Sequence, residues 1–234
     1  MCRPRHSVQL LILPGLGGDH RMSYPQLALP YDIITPDYFP IEPNESIHDY
    51  SKRFCEYLLS THAIDLDRPL VIAGYSFGSA VAQELSNIVA CKAIILIGGL
   101  RSNRELSPIV RWCGRWIAPR VPLIVYRLAG LFLPLAMRRI SEISREDLDL
   151  CQQMYLNFPE GMFRRGFALL VKWEGCPVHV PMLRIRGIYD HIVSKVPKQE
   201  DIPVVSIEDA KHLVNLSKPK IVNGAIEQFI QSLF

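Results

Sequence analysis

Six short runs rich in Val, Ile and Leu set the fold of this chain: "SVQLLILP" (7–14), "YDIITP" (31–36), "PLVIAG" (69–74), "KAIILIGG" (92–99), "PMLRIRG" (181–187) and "IPVVSI" (202–207). Near-continuous apolarity over four to eight residues belongs to strands covered on both faces, as in a parallel sheet. Helical patterns lie between them. "SIHDYSKRFCEYLLSTHA" places Ile47, Tyr50, Phe54, Tyr57, Leu58 and Ala63 near one stripe, and "FGSAVAQELSNIV" follows the third run directly. "SKPKIVNGAIEQFIQSLF" ends the chain, with Ser217 as the expected N-cap and Pro219 in the first turn. Strand and helix alternating in this way predict a doubly wound α/β sheet of about six strands, mostly parallel.

One segment breaks the alternation. Residues 101–175 carry no strand signal and read as several helices punctuated by Pro and Gly, after which the sheet pattern resumes. The expected organisation is therefore a core of residues 1–100 and 176–234 with residues 101–175 inserted as a helical cap. At 234 residues the chain is long enough for one large domain. Its formal charge of +3, with no Lys/Arg block, excludes nucleic-acid binding as an expectation. The six cysteines include no C-x-x-C pair, which favours reduced thiols, a cytoplasmic setting and no metal site. The N-terminal "MCRPRHSVQLLILPG" reads as a buried strand because its apolar run is too short for a leader. The longest apolar stretch, residues 121–137, contains Pro122, Arg127 and Pro134 and does not read as a membrane span.

Open α/β sheets bind ligands at the carboxyl ends of their strands. The polar residues immediately after each predicted strand are thus the informative ones. "PGLGGDH" follows the first strand, Ser76 the third, Asp190 in "IYDH" the fifth, and His212 in "EDAKH" the sixth. A serine hydroxyl becomes nucleophilic when a base takes its proton, histidine can supply that base near neutrality, and a carboxylate can fix the imidazole tautomer. Gly74 and Gly78 flank Ser76 at two residues' distance, as a strand-to-helix turn holding a nucleophile requires. His191, adjacent to Asp190, is a poorer base because neighbouring residues cannot readily face each other. Glu208 and Asp209 are alternative acids, while Asp19 and His20 are expected to shape a turn.

The elbow "GYSFG", the loop "LPGLGG", "RGIYDHIV" and "DAKHLVNL" together resemble the α/β-hydrolase superfamily. The resemblance covers most of the chain outside residues 101–175, which opens on what would be the family's third strand. It implies Ser76 as nucleophile, His212 as base and Asp190 as orienting acid, with an oxyanion hole built from the backbone N–H groups of Leu16 and Phe77. Pro14-Gly15 stands where many relatives carry His-Gly. The implied activity is cleavage of a carboxylic ester or acyl thioester through an acyl-enzyme, with no cofactor. A carbon–carbon bond hydrolase or lyase using the same triad, and a ligand receptor on the same fold, are the alternatives. The cap holds 12 Lys/Arg against 7 Asp/Glu, interleaved with aromatic and aliphatic residues. That mixture suits an acyl tunnel and a small or carrier-linked acyl substrate, as in small capped carboxylesterases such as the pimeloyl-carrier methyl ester esterases. Tyr75, Trp112, Arg138 and Arg139 are the candidate substrate contacts.

Overall fold

The apolar runs form six strands, β1 (Gln9–Leu13), β2 (Asp32–Ile34), β3 (Leu70–Tyr75), β4 (Ala93–Ile97), β5 (Met182–Gly187) and β6 (Val204–Ile207), in a computed structural model describing residues 8–159, 161–197 and 199–234. Every pairing is parallel, and the spatial order is β2-β1-β3-β4-β5-β6. The order reverses at β1: the chain moves outward to β2, then crosses back to β3. The crevice beyond the ends of β1 and β3 is therefore the switch point at which such sheets bind ligands.

Period-two alternation sends Leu11 and Leu13 into one apolar layer and Leu10 and Ile12 into the other. The first layer is closed by α1 (Ile47–Ser60) and α2 (Phe77–Leu85), with Tyr50, Phe54 and Leu58 buried along one face of α1. Ser46 opens α1 through a reciprocal capping box with Asp49, so two otherwise orphaned N-terminal donors are satisfied. A 3-10 segment, His20–Ala28, lies on the opposite side near the C-terminal helices. The edge strand β6 keeps Val204 exposed, unlike the fully buried β1, β3 and β4.

Between β4 and β5 the chain is helical. A 3-10 turn at Asn103–Glu105 leads to α3 (Pro108–Trp112), whose axis continues through a π turn and a second 3-10 turn to Arg120. Then come α4 (Leu123–Leu131), α5 (Leu133–Ile140), α6 (Arg145–Asn157) and α7 (Met162–Leu170). Ser107 and Ser144 accept backbone hydrogen bonds at the starts of α3 and α6. The chain closes with α8 (Val214–Ser217) and α9 (Pro219–Gln231), which buries Val222, Ile226 and Ile230. Ser217 is not the cap of α9: it ends α8, and Lys218 takes the N-cap position without a side-chain bond. The short helix that follows His212 uses the residue that the sequence pattern assigned to capping. Among the described residues no helix is long and apolar enough to cross a membrane.

Candidate active site

Ser76 sits at the junction of β3 and α2 with φ 47° and ψ −112°, a left-handed conformation that an L-residue adopts only under strain. Close packing around the junction enforces it. A Cβ at Gly74 would lie 2.3 Å from the Gly78 carbonyl, and one at Gly78 would lie 2.6 Å from the carbonyl oxygens of Leu13 and Pro14. Helix α2 can cross the ends of β1 and β3 this closely only because both positions are glycine. The Ser76 N–H donates to Ile97 O at 3.2 Å, fixing the turn against β4.

The turns after β5 and β6 bring two further groups to this point. His212 Nδ1 lies 2.8 Å from Asp190 Oδ2, and His212 Nε2 lies 3.0 Å from Ser76 Oγ. A carboxylate can only accept, so Nδ1 carries the proton and Nε2 is left to accept from the serine hydroxyl. The other Asp190 oxygen accepts from the backbone N–H groups of Ile192 and Val193 at 2.8 and 3.0 Å. Burial opposes ionisation of Asp190, but the charge and hydrogen bond of His212 and the two backbone donors hold its pKa below the usual carboxylate value. Burial likewise opposes the imidazolium, yet the Asp190 carboxylate outweighs it and raises the His212 pKa above 6.5.

The loop after β1 lies against the serine, with the Cβ position of Gly15 3.5 Å from Ser76 Cβ. Three bonds hold this loop: Tyr38 Oη–H donates to Pro14 O, Gly15 N–H to Met22 Sδ, and Asn215 Nδ2–H to Met22 O. The N–H groups of Leu16 and Phe77 have no protein acceptor among the described residues. Ser76 and His212 open into a cavity of about 260 Å³ whose walls include Leu133, Met137, Met154, Phe163, Phe167 and Leu170. Among the described residues no Asp, Glu, Lys or Arg lines it. Cys151 also lines the cavity, but burial pushes its thiol up to about 12, leaving it protonated and a weak rival nucleophile.

A family model described as "Alpha/beta hydrolase family" matches residues 10–225. The chain belongs to that family. Its fold is shared with many solved alpha/beta structures at low identity. A thermophilic esterase from Thermogutta terrifontis, solved with malate bound, superposes with a TM-score of 0.74 at 19% identity, covering 97% of this chain and 90% of that one. MenH from S. aureus gives 0.71 at 16%, covering 98% and 96%. A lipase-esterase related protein from Clostridium acetobutylicum gives 0.72 at 13%, covering 95% and 94%. No curated protein matches the chain by sequence.

In this alpha/beta hydrolase the sequence-derived residues separate into two groups. Ser76, Asp190 and His212 come together, with Leu16 and Tyr75 on the same cavity wall. Tyr75 is buried and its hydroxyl donates to Gln26 Oε1 at 2.7 Å, so only its remaining surface reaches the cavity. Trp112 and Arg138 do not line the cavity; both are exposed. The helix supplies the reason for Trp112, because Val110 turns inward and a residue two positions on points the opposite way. The side chain of Arg139 lies outside the described residues. His191, Glu208 and Asp209 are exposed, leaving Asp190 as the acid at His212. Asp19 caps the 3-10 segment and pairs with Arg21, and His20 pairs with Asp37. Those three ligand-bearing residues gather within 4.8 Å, but Arg21 engages both Asp19 oxygens and none of the three lines the cavity. Sequence reasoning missed the supports Tyr38, Met22 and Asn215: the first two lie in no motif, and Asn215, although within "DAKHLVNL", shows its role only once the loop it holds is in place.

Proposed function

We propose that this protein is a serine hydrolase that cleaves an apolar carboxylic ester or acyl thioester through an acyl-enzyme. The observation that carries the reading is the continuous hydrogen-bonded chain Ser76–His212–Asp190 at the mouth of an uncharged cavity. Ser76 Oγ attacks the acyl carbon while its proton passes to His212 Nε2, forming a tetrahedral intermediate. The Leu16 and Phe77 N–H groups stabilise the oxyanion, each contributing about 3 kcal/mol. Collapse expels the alcohol or thiol, which takes the proton from His212. Water, deprotonated by the same nitrogen, then releases the acid and restores Ser76. Asp190 holds the tautomer and offsets the imidazolium charge. The helices of residues 101–175 act as a cap that supplies the apolar wall, and the acyl group is uncharged because no described residue of that wall would pair with a charge.

The base must be neutral to accept the serine proton. Because Asp190 raises the His212 pKa, kcat/KM is expected to fall with decreasing pH along a limb whose midpoint lies above 6.5, and Asp190→Asn should move that midpoint down. A pH–rate profile on a small nitrophenyl ester checks both. The decisive experiment is intact mass after incubation with a fluorophosphonate. A single adduct on the wild type and none on Ser76→Ala is expected. No adduct on the folded wild type would sink the reading and favour a ligand-binding protein on the same fold.

A further inference from the structure

Helix α4 reads "LIVYRLAGL", apolar nearly all round, and such a helix normally lies buried on every side. Here only one side is covered. Gly130 packs on Tyr155 and Leu156 of α6, and Gln152 Nε2–H donates to the carbonyls of Gly130 and Leu131. The opposite face carries Ile124, Leu128 and Leu131 at i, i+4 and i+7, which are 60%, 52% and 58% exposed. Phe132, at the turn into α5, is 69% exposed. Upstream, Ile109, Trp112 and Trp116 are exposed as well. Soluble surfaces rarely gather so many large apolar side chains without a partner.

Charge identifies the partner. Residues 108–135 contain four arginines and no aspartate or glutamate. The guanidinium carbons of Arg115 and Arg120 lie 5.9 and 5.7 Å from the centre of the exposed Trp116 ring. Arg127 and Arg164 line a shallow cleft of about 70 Å³ beside α4. Exposed aliphatic side chains, an indole with two guanidinium groups near its ring and a stretch whose only charges are positive are what an anionic bilayer surface accepts: acyl chains for the first, headgroup depth for the second, phosphates for the third. A second copy of the chain fits less well, because a two-fold contact through this face would set arginine against arginine.

We infer that the exposed face of residues 108–135 is a docking surface for anionic lipid bilayers. It goes beyond the hydrolase reading and does not depend on it. The same α3 and α5 that present this face turn Val110, Leu133 and Met137 into the cavity, so docking places the cavity wall next to the lipid.

Sedimentation with sucrose-loaded vesicles tests this, using phosphatidylcholine alone and phosphatidylcholine mixed with phosphatidylglycerol. The wild type and Ser76→Ala should bind the mixed vesicles equally, more weakly as salt rises, and bind neutral vesicles poorly. Arg115→Glu/Arg120→Glu should weaken binding about tenfold or more. Ile124→Ser/Leu128→Ser should weaken it by about tenfold with no change in charge. All these side chains are exposed, so both double variants should keep the wild-type circular dichroism spectrum and small-ester turnover. Failure to bind mixed vesicles overturns the inference, whether or not the face then pairs two copies in sedimentation velocity or binds an acidic protein. Binding that both double variants leave intact overturns it too.

Discussion

Alanine at Ser76 is expected to lower kcat for a short nitrophenyl ester by about 10⁴- to 10⁶-fold while KM barely moves. The hydroxyl makes no contact that the ground-state substrate needs, so its loss falls on the transition state. His212→Ala should cost nearly as much, because Oγ without an acceptor at 3.0 Å keeps its proton. The two losses should not add, since the second substitution removes a partner that no longer works. Asp190→Asn should cost about 10³- to 10⁴-fold for a different reason. The amide would donate to Nδ1, shift the ring proton to Nε2, and leave nothing to accept from Ser76. Steady-state kinetics on the wild type, the three single variants and the Ser76→Ala/His212→Ala double variant, with circular dichroism to confirm folding, checks the set. Residual activity within about tenfold of wild type for Ser76→Ala would remove the serine from the mechanism.

The parts of this molecule that were legible in the sequence are those whose physics is local. A strand buried on both faces must be apolar throughout, so β1, β3, β4 and β5 stood out as runs. A strand-to-helix turn this tight needs glycine two positions either side of its apex, so Gly74, Ser76 and Gly78 were visible together. Asp190 and His212 were found because the carboxyl ends of parallel strands share one edge. What depended on packing between distant segments was hidden. The burial pattern of β6 is that of an edge strand, which an apolar run cannot announce. In residues 101–175 apolar residues are too dense for periodicity to choose a face, so Trp112 and Arg138 were assigned inward although Val110, Leu133 and Met137 are the residues that turn inward. Among the described residues no arginine lines the cavity, so composition alone does not say which face of these helices the arginines occupy. The same composition that obscured the inner face of this helical segment produced its unusual outer one.

The largest stability effect is expected far from any motif, at Arg184 on β5. Its side chain is fully buried, and a lone buried guanidinium would be untenable. Glu105, at the start of the helical segment, accepts from Nη1 and Nη2 at 2.8 and 3.0 Å; Gly99 O accepts from Nη1 at 3.0 Å; Glu200, before β6, accepts from Nε at 3.0 Å. Glu105 is itself fixed by the Arg101 N–H at 2.9 Å, and its backbone carbonyl accepts from Lys195 N–H at 2.9 Å. One guanidinium thus ties together the end of β4, the first turn of the helical segment and the approach to β6. Arg184→Met keeps the apolar stem but leaves two carboxylates facing each other with no cation between them. A loss of about 3–5 kcal/mol is expected from urea unfolding, because removing one partner of a buried pair exposes the full desolvation cost of the other. At about 2–4 °C per kcal/mol for a chain of this length, the melting temperature should fall by about 6–20 °C. The sign of the pH dependence follows from Glu200, whose pKa burial already raises against the pull of Arg184. Without Arg184 that pull is gone, and Glu200 holds its proton still more tightly in the folded state than in the unfolded one. The loss should therefore be smaller near about pH 5, where Glu200 can protonate, than near about pH 8, where it must ionise. Arg184→Met combined with Glu105→Leu and Glu200→Leu should recover much of the stability, since no buried charge then lacks a partner. A loss under about 1 kcal/mol for Arg184→Met alone would show that water reaches the carboxylates and that the cluster does not hold the helical segment to the sheet.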